Sequence, residues 1–480
     1  MEFFERINIF AKEIEKRKEF LDRNRLESCC GKDIDDQKEQ QEYHSFIADS
    51  RLLADVNREL KENHPSEKRN ILLAARESIT DSMFYKNGEL LKLTNEYQEN
   101  LGGKKYNYNN EELSFNQLFG KIYTTEDPEQ RNGIYHALYG NDDRILTPAL
   151  GMIKKRTELA RKFGFIDYSE IFRAGIEENE IHRLLDSKTR KLAERLIPVK
   201  NNLGLQSRGS LSFCDWEFTK NRKAIKLDKF REKIDDPVKL VLEFYASIGY
   251  GDCLDRVRVQ VEDIPTCGMF FTLDPPVILI GKKAQNMMQL SALVHEFGHA
   301  VEYLHRTGDN LLVSTDPFFG IKEGLAIFFE RLFYSKENLL KLGFSEDDIS
   351  CYHLFKDSFI VNFDAFVLNN ARTELKIYAD GVIAPDEISK YHAKNFENIT
   401  GVKISENTWL YDFVLNTQPG YGYWYTIGSL FSDNLFDYLQ NNNESLISPE
   451  TGRIISEKIL KHGGLKNWKE KFWCSGPVPI

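Results

Sequence analysis

His295, Glu296 and His299 stand together in the stretch VHEFGHAVEY, in a chain with only ten histidines. Residues four apart on a helix share a face, so the two imidazoles can offer nitrogens to a single ion at about 2.0 to 2.1 Å. Glu296 is turned about 100° away from that face. A carboxylate there is badly placed to bind the ion and well placed to take a proton from a water held on it. Two solvated helix histidines can carry the same spacing, so the motif needs a third ligand before it defines a site.

A catalytic zinc takes three protein ligands and keeps one position open for water. The extended pattern in which a glycine turn leads to a third histidine is absent: position 302 is Glu, and His305 follows His299 by only six residues. Further on comes DPFFGIKEGLAIFFERLF (316 to 333), where Asp316 or Pro317 can open a helix and Glu323 falls 24 residues after His299. Its neighbours are Phe318, Phe319, Leu325, Ile327 and Phe328. A carboxylate in such company is costly to bury unless a positive charge compensates it, and a zinc ion would. Glu323 is therefore the expected third ligand, with one Zn2+ per chain. Glu330, two turns further, stays open as an alternative ligand or an exposed acid.

Helices must carry these groups. In the N-terminal half Phe3, Ile7, Phe10 and Ile14 form one apolar stripe among charged faces, the pattern of a core-facing helix. Breaks fall at KENHPSEKRN (61 to 70), at ENLGGKKYNYNNEE (99 to 112) and in LYGNDDR (138 to 144). A long helix is expected over PALGMIKKRTELARKFG, ending at Gly164, which suits a left-handed cap. Near residue 250 the texture changes. RVRVQVEDI and CGMFFTLDPPVILIG are β-rich runs, which predict one small antiparallel sheet ahead of the HExxH helix. The run CGMFFTL would leave unpaired backbone groups, to which a peptide could add as an extra strand. Helices then resume, and Pro477 and Pro479 keep the tail FWCSGPVPI extended. The expected fold is mainly α, with a helical N-terminal lobe over residues 1 to 250 and a catalytic lobe over 251 to 480.

Bulk composition narrows the function from another side. The chain of 480 residues is 41% hydrophobic and 29% charged, with 33 Phe and 21 Tyr, which is the make-up of a folded protein with ample core. A net charge of −10 with no long Lys/Arg run argues against nucleic acid or an anionic membrane as a partner. No stretch reaches the roughly 18 apolar residues of a membrane helix, and the acidic start lacks the pattern of a signal peptide. Seven scattered cysteines without a CxxC pair fit reduced thiols in a cytoplasmic compartment. Oligomeric state cannot be read. His305, His353 and His392 read as surface or core residues, and His44, His64, His136, His182 and His462 have no functional context.

HEFGHAVEYLHRTGDNLLVSTDPFFGIKEGLA resembles the active-site helix, connecting loop and ligand helix of the gluzincin zinc peptidases. That group includes oligoendopeptidase F, thimet oligopeptidase, angiotensin-converting enzyme and carboxypeptidase Taq. KKRTELARKFGFIDYSEI (154 to 171) is similar to a helix they carry upstream, and CGMFFTLDPPVILIG resembles the edge strand along which their substrates lie. QPGYGYWYTIGSLFSDNLF (418 to 436) looks like the segment whose tyrosine donates a hydrogen bond to the scissile carbonyl. The resemblance implies a zincin-like, two-lobed helical body with a deep substrate channel, acting on short or unfolded peptides. It aligns Tyr425 best with the carbonyl-binding tyrosine, with Tyr421 and Tyr423 as second choices. Gly420 and Gly422 would bend the backbone there, with helix resuming near Tyr425. A phenol stays protonated at neutral pH and can support a developing oxyanion without adding charge.

The KEG sequence at Glu323 departs from the HES sequence that would mark carboxypeptidase Taq, and the tyrosine spacing matches no single relative. The reading is a zinc metallopeptidase with His295, His299 and Glu323 on the metal and Glu296 as general base. A carboxypeptidase or dipeptidyl carboxypeptidase of the same zinc type is the alternative enzyme. A noncatalytic peptide- or metal-binding protein is the alternative of another class, against which the intact Glu296 speaks.

Overall fold

The computed structural model describes residues 3–32, 34, 37–173, 175–205, 211–224, 236–264, 267–281, 287–305, 312, 319–443, 445–465 and 470–471. The expected helix start at Asp316 or Pro317 and the expected extended tail lie outside them. The chain is mainly α-helical, with short strands between helices. It forms two compact units: one takes Met1–Lys86, Asp228–Ile349 and Ile427–Ile480, the other Asn87–Leu227 and Ser350–Thr426. Residue 250 falls inside the second segment of the first unit, and each unit is assembled from segments far apart in sequence.

In the first unit the helix Phe3–Cys29 buries Ile7, Phe10 and Ile14 of the stripe read from the sequence and leaves Phe3 half-buried. Its last turn brings Leu26 against Leu273, Val277 and Leu279, so this helix and the sheet share a core. The sheet has three strands in the order Arg258–Glu262, Val277–Gly281, Cys267–Phe270. It is mixed, which corrects the expected antiparallel sheet: Cys267–Phe270 pairs antiparallel with the central strand and Arg258–Glu262 pairs parallel with it. Burial explains the order. VILIG is buried at all five positions and needs cover on both faces and edges, whereas RVQVE has no buried position and tolerates an edge. Two further two-stranded ladders lie in the second unit, Tyr106–Tyr108 with Glu111–Leu113 and Leu211–Ser212 with Val402–Lys403. The first of them turns through Asn109 and Asn110, both at positive φ (53° and 64°), a backbone state that asparagine tolerates in a two-residue hairpin. It lies in a stretch that the sequence suggested only as a break.

In the second unit the helix expected to begin near Pro148 runs Asp143–Lys162, and Gly164 follows with φ 89°. Pro148 lies inside it and cannot donate to the carbonyl of Arg144. Asn100 Nδ2 donates to that carbonyl instead, at 2.9 Å. The helix Glu346–Tyr378 is the longest of those described. No helix among the described residues is long and apolar enough to cross a membrane.

Two helices of the first unit meet at glycines. Around Gly324, in Phe319–Phe333, a Cβ would stand 2.6 Å from the Gly428 carbonyl oxygen and 2.8 Å from the Phe431 ring. Gly324→Ala sets a helix-propensity gain of up to about 1 kcal/mol against overpacking on backbone that cannot step aside, which costs about 1 to 3 kcal/mol. The expected outcome is a net loss in urea unfolding. Gly133→Ala, in the helix Pro128–Leu138 with nothing within 4 Å of the new methyl, should instead gain stability. Equal effects at the two positions would refute the close crossing.

Candidate metal centre

The HExxH motif lies on the helix Met287–Leu304. Leu290, Leu293, Val294, Phe297, Ala300 and Val301 are buried and supply the apolar stripe that docks this helix. Ser291, His295 and His299, four residues apart, form a separate polar row. The Tyr245 hydroxyl, fully buried, donates to the Val294 carbonyl at 2.7 Å and so pins the turn just before His295. Gly298 admits the neighbouring helix: a Cβ there would stand 3.0 Å from the Phe329 ring and 3.1 Å from the Ala326 Cα.

That neighbour is Phe319–Phe333, which presents Glu323 to the motif. Glu323 is 4% exposed among buried Leu325, Ala326, Phe328 and Phe329. One carboxylate oxygen lies 3.2 Å from His295 Nε2 and the other 3.5 Å from His299 Nε2. The three ligand atoms all lie within 4.8 Å of one another. Among the described residues this is the one group of three or more His, Cys, Asp or Glu side chains gathered closely enough to share an ion.

Glu330 takes neither role left open for it. Its Oε1 lies 2.9 Å from His295 Nδ1, the nitrogen that faces away from Glu323, and its other oxygen accepts from the Ser291 hydroxyl. An imidazole that donates Nδ1–H to a carboxylate presents Nε2 as the lone-pair donor a metal requires. Glu323 and Glu330 are seven residues apart, two turns on one helix face, and that spacing was the available signal for Glu330 as a partner of His295.

Charge in this pocket is crowded. Burial works against a charged His295, but hydrogen bonds to Glu323 and Glu330 outweigh it and hold the imidazole well above its usual range. Burial pulls His299 down to about 4, with Glu323 opposing. Burial pushes Glu296 up to about 7; His295 opposes this, and the negative charges of Glu323 and Glu330 add to it. Two carboxylates facing two imidazoles in a buried pocket suit a divalent cation: two neutral nitrogens and a carboxylate oxygen are the donor types of zinc, and the cation relieves the repulsion among the acids. The residues therefore fit the ion.

The strand Cys267–Phe270 is an edge strand beside the motif helix, paired on one side with Val277–Gly281. The tyrosines belong to the helix Tyr421–Asn442, which starts four residues earlier than expected. Gly420, at φ 96°, precedes it, and Gly422 lies within it, where a Cβ would stand 2.8 Å from the Asn370 Cβ and from the Val367 carbonyl oxygen. Gly422 thus serves close helix packing and makes no bend. Helical phase then separates the three phenols. Tyr421 and Tyr425 stack at 4.2 Å and Tyr425 meets Phe363 edge-on at 5.5 Å, both half-buried, whereas Tyr423 is fully buried against Phe172. His305 Nδ1 donates to the Val301 carbonyl (2.8 Å) at the end of the motif helix, His353 is half-buried, and His392 is buried. Cys29, Cys30, Cys214, Cys253 and Cys351 are free thiols.

No protein-family model matches the sequence, and no curated protein matches it. Solved structures do match. A PZ peptidase A with an inhibitor superposes with a TM-score of 0.61 at 14% identity, covering 95% of this chain and 82% of that one. A Bacillus anthracis protein described as an oligoendopeptidase F gives 0.59 at 15%, covering 92% and 81%. Another protein described as an oligoendopeptidase F gives 0.60 at 14%, covering 96% and 82%. The chain shares their helical fold over nearly its whole length.

His392 gives a pH test that is independent of the metal site. It lies 3.0 Å from the Thr373 hydroxyl and 3.1 Å from Asn369 Nδ2, and burial lowers it to about 3. Above about pH 6.5 it is neutral folded and unfolded alike. Below that pH the unfolded chain takes up a proton that the folded chain refuses, so stability falls by up to about 1.4 kcal/mol per pH unit as pH drops toward 3. Urea unfolding of His392→Gln between pH 6.5 and 4.5 should show a shallower loss than the parent; an unchanged slope would mean that His392 is not buried neutral.

Proposed function

We propose that the chain is a zinc-dependent peptidase that hydrolyses short or unfolded peptides. The observation that carries this reading is the convergence of His295 Nε2, His299 Nε2 and the Glu323 carboxylate, with Glu296 on the turn between the two histidines. The shared fold of proteins described as peptidases supports it.

His295, His299 and Glu323 would hold one Zn2+. When bound, the ion supplies Lewis acidity and lowers the pKa of water. Glu296 lies off the ligand face, so it accepts the proton of the attacking water and returns it to the leaving amine. Glu330 keeps the His295 ring oriented through Nδ1. On the sequence resemblance, Tyr425 donates to the carbonyl oxygen as negative charge develops on it, and Tyr421, on the same helix face, is the alternate donor. Complete burial of Tyr423 gives that ring a packing role. The edge strand Cys267–Phe270 can receive a peptide through main-chain hydrogen bonds, which favours loose side-chain selectivity.

Cleavage-site mapping by mass spectrometry on a mixed peptide library tests the reading. The parent should cut, Glu296→Gln should keep the metal and lose about a hundredfold or more in rate, and Glu323→Ala should lose the metal. Tyr425→Phe should keep the metal and lose about a hundred- to a thousandfold in kcat. A Gln variant that cuts like the parent would end the general-base assignment. Metal binding without any cleavage would leave a binding protein, and cuts confined to C-terminal residues would make the enzyme a carboxypeptidase or dipeptidyl carboxypeptidase.

A further inference from the structure

The two helices of the metal centre are joined by a ladder of polar contacts. His299 meets Glu323; His295 meets Glu323 on one nitrogen and Glu330 on the other; Ser291 meets Glu330. Descending the motif helix by one turn at each step ascends the other helix, so the two run antiparallel and their polar rows are in register. The metal-binding reading uses only the upper rungs and leaves the lowest rung, Ser291, without a role.

We propose that Ser291 is a positioning residue for the metal ligand His295, acting through Glu330. A glutamate has three side-chain torsions, and one hydrogen bond to an imidazole does not fix the plane of its carboxylate. Here both oxygens are held, Oε1 at His295 Nδ1 and Oε2 at the Ser291 hydroxyl. Ser291 stands one turn before His295 on the same row of the same helix, so the carboxylate bridges two neighbouring positions of one rigid element. The Ser291–Glu330–His295 loop sets the angle of the imidazole and aims Nε2 at the position shared with His299 and Glu323. Ser291 is itself 5% exposed, so water competes little for its hydroxyl. Alanine at 291 removes the serine's hold on that oxygen and loosens the ring.

This inference rests on the zinc reading of the site, and its test reads metal affinity and not turnover. Zinc dissociation constants are measured by chelator competition for the parent, Ser291→Ala, Glu330→Ala and the double variant, with Ser291→Thr as the conservative replacement that restores a hydroxyl. The expected result is a weakening of about 10-fold or more in Ser291→Ala, recovery toward the parent in Ser291→Thr, and no added effect of Ser291→Ala once Glu330 is alanine. Parent-like affinity in Ser291→Ala overturns the proposal, as does a weakening of the same size in the Glu330→Ala background. The d–d spectrum of the Co2+-loaded chain gives a second readout, expected to shift in Ser291→Ala and to stay fixed if the serine only packs. A chain that binds zinc and cuts no peptide overturns the peptidase proposal and leaves the Ser291 result standing.

Discussion

A buried carboxylate cannot stay charged without a partner, and Glu323, almost wholly buried, makes that demand in the first unit. Leaving such a group buried and uncompensated costs several kcal/mol, so the surrounding chain is arranged to answer it. Two imidazoles approach from the adjacent helix, one carboxylate oxygen to each. A second acid, Glu330, stands on the outer nitrogen of His295, so the pocket carries more negative charge than one protonated histidine can balance. A divalent ion would resolve that imbalance, and in the proposed reading it would also supply the Lewis acidity that hydrolysis needs.

Close approach of backbones is the mechanical condition for this arrangement. Gly298 brings the motif helix onto Ala326 and Phe329, and Gly324 brings the ligand helix onto Gly428. The ligand helix is thus gripped on two faces by contacts that a single methyl would disturb, which fixes the register between the polar rows. Tyr245 adds a directional constraint, because its hydroxyl bond to Val294 sets the rotation of the turn that carries His295. The sheet contributes through Val277–Gly281, whose complete burial anchors the edge strand beside the motif helix.

The gathering of His295, His299 and Glu323 was legible in the sequence because it depends on helical period. His295, Glu296 and His299 are placed by spacing alone, and Glu323 was found through the cost of a charge among phenylalanines. Glu330 was left open as an alternative ligand or an exposed acid, because seven residues return to the same helix face without saying which group the acid meets there, and it meets His295 Nδ1. Tyr423 could not be told from Tyr421 while the segment was read as bent; a helix from Tyr421 onward puts 421 and 425 together and turns 423 to the other side. The sheet order was hidden for a different reason. A run such as RVRVQVEDI announces a strand but not its partner, and burial of VILIG on both sides decided the pairing. The interleaving of the two units also left no local mark, since it depends on contacts between segments far apart in sequence.

X-ray absorption at the zinc edge, on the full chain purified without added metal, tests the central claim most directly. The account predicts one zinc per chain bound by two imidazole nitrogens at about 2.0 to 2.1 Å and by oxygen at about 2.0 to 2.2 Å, with one imidazole contribution lost in His295→Ala. A first shell containing sulfur at about 2.3 Å, or a spectrum that His295→Ala leaves unchanged, would contradict it.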